Sequence, residues 1–455
     1  MDIDLSSEAD VNFKPTLYDI HKILDENIVG EFSCRMSLFT LWILGETNVL
    51  MSGSRSSGKT FITDHVRELV GDIEDKKDEQ GRSYVLTAGS EKSAWYQLEQ
   101  IRKADFIVVL ELNKIPKEAR EILKDWGEGK SSKYKTVTFG KKFGQTIRQT
   151  MNIELPRKPF VFCLADEQEE KVNAQLLSRL ITLRTDSSTY QNKAVIEQQA
   201  RLAIEPTNFK KVDLKLLNKI KHHILTLPPL NKYEFKHPAC DHFLNYIPTY
   251  YSDCRREFPN YLANTYGITR FYWKERMTYS KDGHNFMFVT PQDMYLNNEI
   301  FGPIFLESSL KCNALERKML EIIQREKRPC SSKKMQIEMT RINGINISLA
   351  MTTKHLNNMS DMGYVNKLRQ RGFGDVYEAG QFLHSFRMSI DWKKILDSTS
   401  KVMRKFYPEV AEEYIEKYCK KPLVIHPFTG KTIDLSKIEY SKQNEIRDKL
   451  GGFIK

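Results

Sequence analysis

The sequence predicts an α/β core built on a parallel sheet flanked by helices, followed by a helical segment and a small module of three helices and a hairpin. Three observations carry that prediction. A short apolar strand runs into a glycine-containing loop and an amphipathic helix over 49–69; buried-looking strands recur at 106–111, 159–164 and 181–184; and a compact helix rhythm begins at 314.

With 455 residues, of which 40% are apolar, 28% charged and 11% aromatic, the chain has material for about two or three domains with proper cores, which excludes wholesale disorder. The opening MDIDLSSEADVNF carries acids where a signal or transit peptide needs bases, and the most apolar run, 36–44, is too short to cross a bilayer. A soluble intracellular protein, cytoplasmic or nucleoid-associated and without a membrane partner, is the expectation. The seven cysteines form no C-x-x-C pair, which argues against a disulfide framework and a zinc ribbon. Lys and Arg total 70 against 59 acids, a net charge of +11, and this favours a polyanionic partner.

The strand Val49–Met51 leads into Gly53-Ser54-Arg55-Ser56-Ser57-Gly58-Lys59-Thr60, a complete G-x-x-x-x-G-K-[ST] loop, and then into a helix with Phe61, Ile62, Val66 and Leu69 at helical spacing. Glycines let such a backbone fold round a phosphate, so that its N–H groups and the helix dipole meet negative charge. Lys59 is expected on the β- and γ-phosphates of ATP, and Thr60 on Mg²⁺. Strand 106–111 ends at Glu111, the candidate general base, with Leu110 where an Asp would hold the metal through water.

Residues 130–158 alternate well enough for a β-hairpin whose turn carries Lys141 and Lys142. Strand 159–164 is followed by Asp166, a candidate sensor of the γ-phosphate. Arg179, just before strand 181–184, is placed to reach a neighbouring subunit's nucleotide. Residues 191–310 read as mostly helical, with helices at 195–202, 214–225 and 241–251, and with Arg255 and Arg256 heading a further helix through Tyr266. His237, Cys240 and His242 lie close in sequence, but their spacing fits no standard metal site.

From Asn313, helices at 314–325, 332–340 and 348–362 precede two short strands joined by a basic loop, the pattern of a winged helix. Over 311–371 there are 13 Lys and Arg against 5 acids, a net +8 of the chain's +11, so DNA phosphate contacts are expected here, chiefly from Lys354, Lys367, Arg369 and Arg371. The tail from Asp391 is helical up to Tyr418 and turns at 427–430.

In this order, VLMSGSRSSGKT, IVVLE, the lysine-bearing hairpin ahead of FVFCLAD, and LLSRL resemble an AAA+ ATPase. More narrowly they resemble the helicase clade of the minichromosome maintenance and superfamily-three viral helicases. SDCRREFPNYL followed by VTPQDM is similar to that family's lid, and LTAGSEKSAWYQ resembles helicase-like ATPases of mobile elements more loosely. The resemblance implies an α/β P-loop AAA+ core with a helical lid and a C-terminal winged-helix domain. It also implies a homo-oligomeric ring, usually a hexamer, with ATP between subunits and DNA in the channel. Carried across, it makes Lys59 and Thr60 the Walker A pair, Glu111 the Walker B glutamate and Arg179 the arginine finger. Arg255 or Arg256 becomes the second sensor, and Lys141 and Lys142 the pore lysines. The family's usual sensor Asn is absent, with Asp166 its nearest substitute, and there is no room for the N-terminal collar of the cellular helicases.

The division expected is a helical lead-in over 1–45, the nucleotide-binding core over 46–190, a lid over 191–310, the winged helix over 311–380 and a helical extension over 381–455. The functional expectation is an ATP-driven DNA helicase or translocase acting in replication. The alternatives are an origin-recognition-like initiator or loader that uses ATP as a switch, and a DNA-binding regulator with a weak ATPase.

Overall fold

The computed structural model describes residues 13–71, 83–86, 98–109, 117–142, 145–165, 179–186, 189–204, 213–247, 254–309, 314–325, 329–361, 364–370, 374–379, 388 and 390–440. The strands β1 (Val49–Gly53), β2 (Ser83–Val85), β3 (Phe106–Val109), β4 (Ser132–Lys142), β5 (Gln145–Leu155), β6 (Phe160–Ala165) and β7 (Ile181–Arg184) form the first part of the fold. Five of them make a wholly parallel sheet in the order β2-β3-β6-β1-β7, while β4 and β5 pair with each other as a separate antiparallel hairpin. This five-stranded sheet flanked by helices is the predicted α/β P-loop arrangement.

A parallel sheet is covered on both faces, and alternate residues divide between two cores. Met51, Val108, Val161 and Leu183 face one apolar cluster, whereas Leu50, Ile107 and Phe162 face the other with Trp126 and Leu180. The first cluster extends far beyond the sheet. It takes in the helices α1 (Leu17–Asn27), α2 (Phe32–Leu44) and α3 (Lys59–Val70), the helices Cys254–Phe271, Pro291–Ile300 and Gly302–Ser309, and Trp392, Val424 and Leu435 near the C-terminus. α2, apolar nearly all round, stacks Trp42 on Phe106 at 4.4 Å and crosses the helix Cys254–Phe271 at Gly267. A Cβ at Gly267 would lie 2.1 Å from the Thr40 carbonyl oxygen, so only glycine allows this approach.

Polar groups lock the same crossing. Asn264 donates to Asn297 at 2.6 Å, and Asn297 donates to Thr265 at 2.7 Å. The buried Arg270 guanidinium donates to the Pro228 carbonyl at 2.7 Å and to the carbonyls at the end of α2, while Arg276 and Asp293 form a buried ion pair.

Residues 191–310, expected to be mostly helical, also contain a three-stranded sheet made of Glu234–Lys236, Thr278–Lys281 and His284–Phe288. Where a helix is expected over 241–251, the described residues form two short helical turns, Cys240–Phe243 and Leu244–Tyr246, and 248–251 lie outside the described residues. Helices Ala314–Arg325, Ser332–Asn343 and Leu349–Asp361 pack with strands Cys330–Ser331, Val365–Gln370 and Gly374–Ala379 around an apolar cluster of their own, which includes Met319, Met335, Leu356 and Tyr377. The turn at 427–430 joins two short strands, Leu423–Ile425 and Thr432–Asp434. Among the described residues, no helix is long and apolar enough to cross a membrane.

Candidate nucleotide site and hairpin edge

β1 ends at Gly53, where the loop turns so tightly against the end of β7 that a Cβ would lie 2.0 Å from the Thr185 hydroxyl. Ser56 and Gly58 take left-handed conformations at φ 62° and 86°, the alternation that turns successive N–H groups toward one concavity. α3 starts directly behind Gly58 and turns its N-terminal amides toward the same concavity. Lys59 Nζ reaches back over the loop to the carbonyl oxygens of Ser54 at 2.6 Å and Gly53 at 3.0 Å, and Thr60 stands exposed beside it. This set of backbone donors, one ammonium and one hydroxyl fits a polyphosphate. Lys59 would hold its charge, and Thr60 would hold a magnesium ion that arrives with it.

The loop is supported by residues that the sequence reading did not single out. The Thr185 amide donates to the Ser52 carbonyl at 2.9 Å, and its hydroxyl lies 2.6 Å from that of Ser57. The next residue, Asp186, donates its amide to the Glu31 carboxylate at 2.8 Å, and Gln191 donates to the Val29 carbonyl at 2.6 Å. The chain entering α2 is therefore strapped to the segment that buttresses the loop. Burial pushes the Glu31 carboxyl up to about 8. Arg35, buried one helical turn further on, holds Asp25 at 2.8 Å and His21 at 2.9 Å. Beneath the loop, burial pushes the Cys163 thiol up to about 11, and Thr63 lies against it at 3.6 Å. That thiol is inert packing.

Arg179 stands elsewhere. β7 runs parallel to β1 with Ile181 beside Val49 and Arg184 beside Ser52, so Arg179 lies where the strands begin and the loop lies where they end. About 13 Å of strand separates the two edges at the usual rise per residue. Arg179 Nη1 is 2.8 Å from the Glu128 carboxylate, at the end of the helix Lys117–Gly127.

The β4–β5 hairpin leaves from the turn that follows this helix. Its ladder runs from Ser132 opposite Leu155 to Lys142 opposite Gln145. Lys141 and Lys142 are therefore the last two residues of β4, not part of the turn as expected, because the ladder continues through Lys142 opposite Gln145. Glu111 and Leu110, and likewise Asp166, lie outside the described residues. Arg255 is exposed in the first turn of the helix Cys254–Phe271; the Arg256 side chain lies outside the described residues.

In the three-helix module, Lys354 and Arg369 are exposed. Lys367 is tied at 2.9 Å to both Asp375 and Asn357, so it braces the hairpin against the third helix. Arg371 lies outside the described residues. Among the described residues no cluster of His, Cys, Asp or Glu is built to hold a metal. His237 is half-buried, with both ring nitrogens buried and neither hydrogen-bonded, and this burial of the ring pulls it down to about 4, so it is neutral.

The sequence matches no protein-family model and no curated protein. Solved structures with partial similarity include a candidate ATPase of Cytophaga hutchinsonii, at 14% identity over 61% of this chain and 84% of that one, with a TM-score of 0.31. The Orc1 protein of Aeropyrum pernix in complex with DNA matches at 11% identity over 81% of this chain and 88% of that one, with a TM-score of 0.22. The apo C-terminal region of NrS-1 matches at 11% identity over 83% of this chain and 78% of that one, with a TM-score of 0.21. At these scores the superpositions carry no argument about function, which rests on the loop, the sheet order and the hairpin of this chain.

Proposed function

We propose that the chain is an AAA+ ATPase of the helicase clade that assembles into a ring, with six subunits the expected number, and couples ATP hydrolysis to movement along DNA. The observation that carries this reading is the placement of Arg179 at the edge of the sheet opposite its own phosphate loop. An arginine there serves no nucleotide of its own subunit, but it is suited to stabilise transition-state charge on a neighbour's γ-phosphate. The strand order and the insertion of β4–β5 directly ahead of β6 support the same reading.

In this reading the loop amides and Lys59 bind and orient the phosphates, and Thr185 and Ser57 keep the loop in shape. Magnesium, when bound with ATP, neutralises phosphate charge beside Thr60. Glu111 is proposed to orient and deprotonate the attacking water, Asp166 to sense the γ-phosphate, and Arg255 or Arg256 to approach it from the helical side. Lys141 and Lys142 of the hairpin face DNA in the channel. Residues 311–380 act as a winged-helix domain that holds DNA through the phosphate contacts of Lys354 and Arg369.

The test compares ATP turnover with and without single-stranded DNA for the native chain, Lys59→Ala, Arg179→Ala and a mixture of the two variants. Turnover lost in each variant, and partly restored in the mixture where an intact loop meets an intact arginine, is the expected result. No DNA-stimulated turnover in the native chain overturns the motor and leaves an ATP-switched initiator or a DNA-binding regulator.

A further inference from the structure

The turn after the helix Lys117–Gly127 joins two features that the proposed function treats separately. Ile122, Leu123 and Trp126 anchor that helix in the second core of the sheet, together with Leu155 at the end of the hairpin and Leu180 next to Arg179. Backbone bonds then fix the turn. The Glu128 amide donates to Lys124 at 2.9 Å, the Lys130 amide to Asp125 at 2.9 Å, and Gly129 takes the left-handed φ of 75° that closes it. The Ser132 hydroxyl, on the first residue of β4, donates to the Asp125 carboxylate at 2.7 Å. Out of this turn comes Glu128, with one carboxylate oxygen on Arg179 and the other on Lys130, each at 2.8 Å.

We propose that Glu128 is a positioning residue that ties the trans-acting Arg179 to the root of the β4–β5 hairpin, so that the nucleotide held by one subunit is felt by the hairpin of the next. This rests on the proposed function of Arg179. A long, half-exposed arginine left to itself samples many rotamers, and holding it toward the subunit surface removes that freedom before the nucleotide arrives. The pair uses one terminal nitrogen of the guanidinium and leaves other donors of the fork for a phosphate. Arg179, and after it Lys130, holds the Glu128 carboxyl down at about 2, so the partner is an anion at any working pH. A neighbour's γ-phosphate is a second anion competing for the same guanidinium. As Arg179 turns toward it, the pull on Glu128 acts on a turn whose next ordered element is the first residue of the hairpin. ATP binding and loss would therefore alter the hairpin base, and DNA gripped by the hairpin would in return alter how Arg179 is presented.

The experiment measures ATP turnover against ATP concentration, with and without single-stranded DNA, for the native chain, Glu128→Ala and Glu128→Gln. Glu128→Ala is expected to cut the ratio of stimulated to unstimulated kcat by roughly tenfold, in the range seen when a coupling contact is removed. Glu128→Gln keeps an oxygen that accepts from Arg179 and is expected to recover most of the ratio. A ratio in Glu128→Ala equal to that of the native chain overturns the inference, whether the absolute rates are intact or have fallen together, since a merely structural role lowers both in proportion. Absence of stimulated turnover in the native chain overturns the proposed function itself, and the two failures are read from different samples.

Discussion

The helices of 254–309 and the three-helix module of 314–379 are neighbours in sequence and are built on opposite plans. The first has no apolar core of its own, because its buried residues belong to the cluster that also holds α2 and one face of the sheet. The second closes round its own core and carries exposed Lys354 and Arg369. Stability and charge are thus concentrated in different places. Damage to the first should reach the phosphate loop through α2, and damage to the second should not.

The sharpest way to break this contrast is Asp293→Ala. It leaves Arg276 charged and unpaired in the interior and removes the carboxylate that caps the helix Pro291–Ile300. A loss of ~3–5 kcal/mol is expected in denaturant unfolding, with ATP binding lost alongside it. Acid acts on the same region through His237. Its pKa is lowered to about 4 in the folded chain. The folded state therefore binds fewer protons, and the stability contributed by neutral His237 is complete above pH ~6.5 and disappears as pH falls toward about 4. His237→Leu should flatten unfolding free energy across that window by about 3 kcal/mol relative to the native chain.

Gly267→Ala drives a Cβ into the Thr40 carbonyl at the crossing with α2. About 1–3 kcal/mol of destabilisation is expected, together with weaker nucleotide binding measured by calorimetry. The smallest effect on stability belongs to the double variant Lys354→Ala, Arg369→Ala, which should unfold within ~0.5 kcal/mol of the native chain. Its DNA affinity should nonetheless fall, with the slope of log affinity against log salt reduced by about 0.9 for each phosphate contact removed. A loss of ATP binding in this double variant would break the contrast from the other side.

Much of the local structure was legible because its signals are short-range. The loop 53–60 is a contiguous pattern bounded by a strand and a helix, and the three helices of 314–361 show their periodicity directly. The three-stranded sheet within 234–288 was missed although one signal lay in plain view. Asp282-Gly283 joins its last two strands, with φ of 51° and 79°, the left-handed pair of a tight hairpin. Those strands are short and half-exposed, so they leave no apolar alternation to read.

By itself the sequence determined the phosphate loop, the apolar strands, the segregation of basic charge into 311–371 and the arginine ahead of β7, since each depends on residues adjacent in the chain. The tertiary structure decided which edge of the sheet Arg179 occupies, which carboxylate holds it, and that Thr185 and Gln191 support the loop and its approach. It also decided that α2 and the helices of 254–309 share one core, through a crossing that only Gly267 permits. These are contacts between residues far apart in the chain. Their register is set by parallel strand pairing and by how closely two helices approach, and no spacing along a single chain records either.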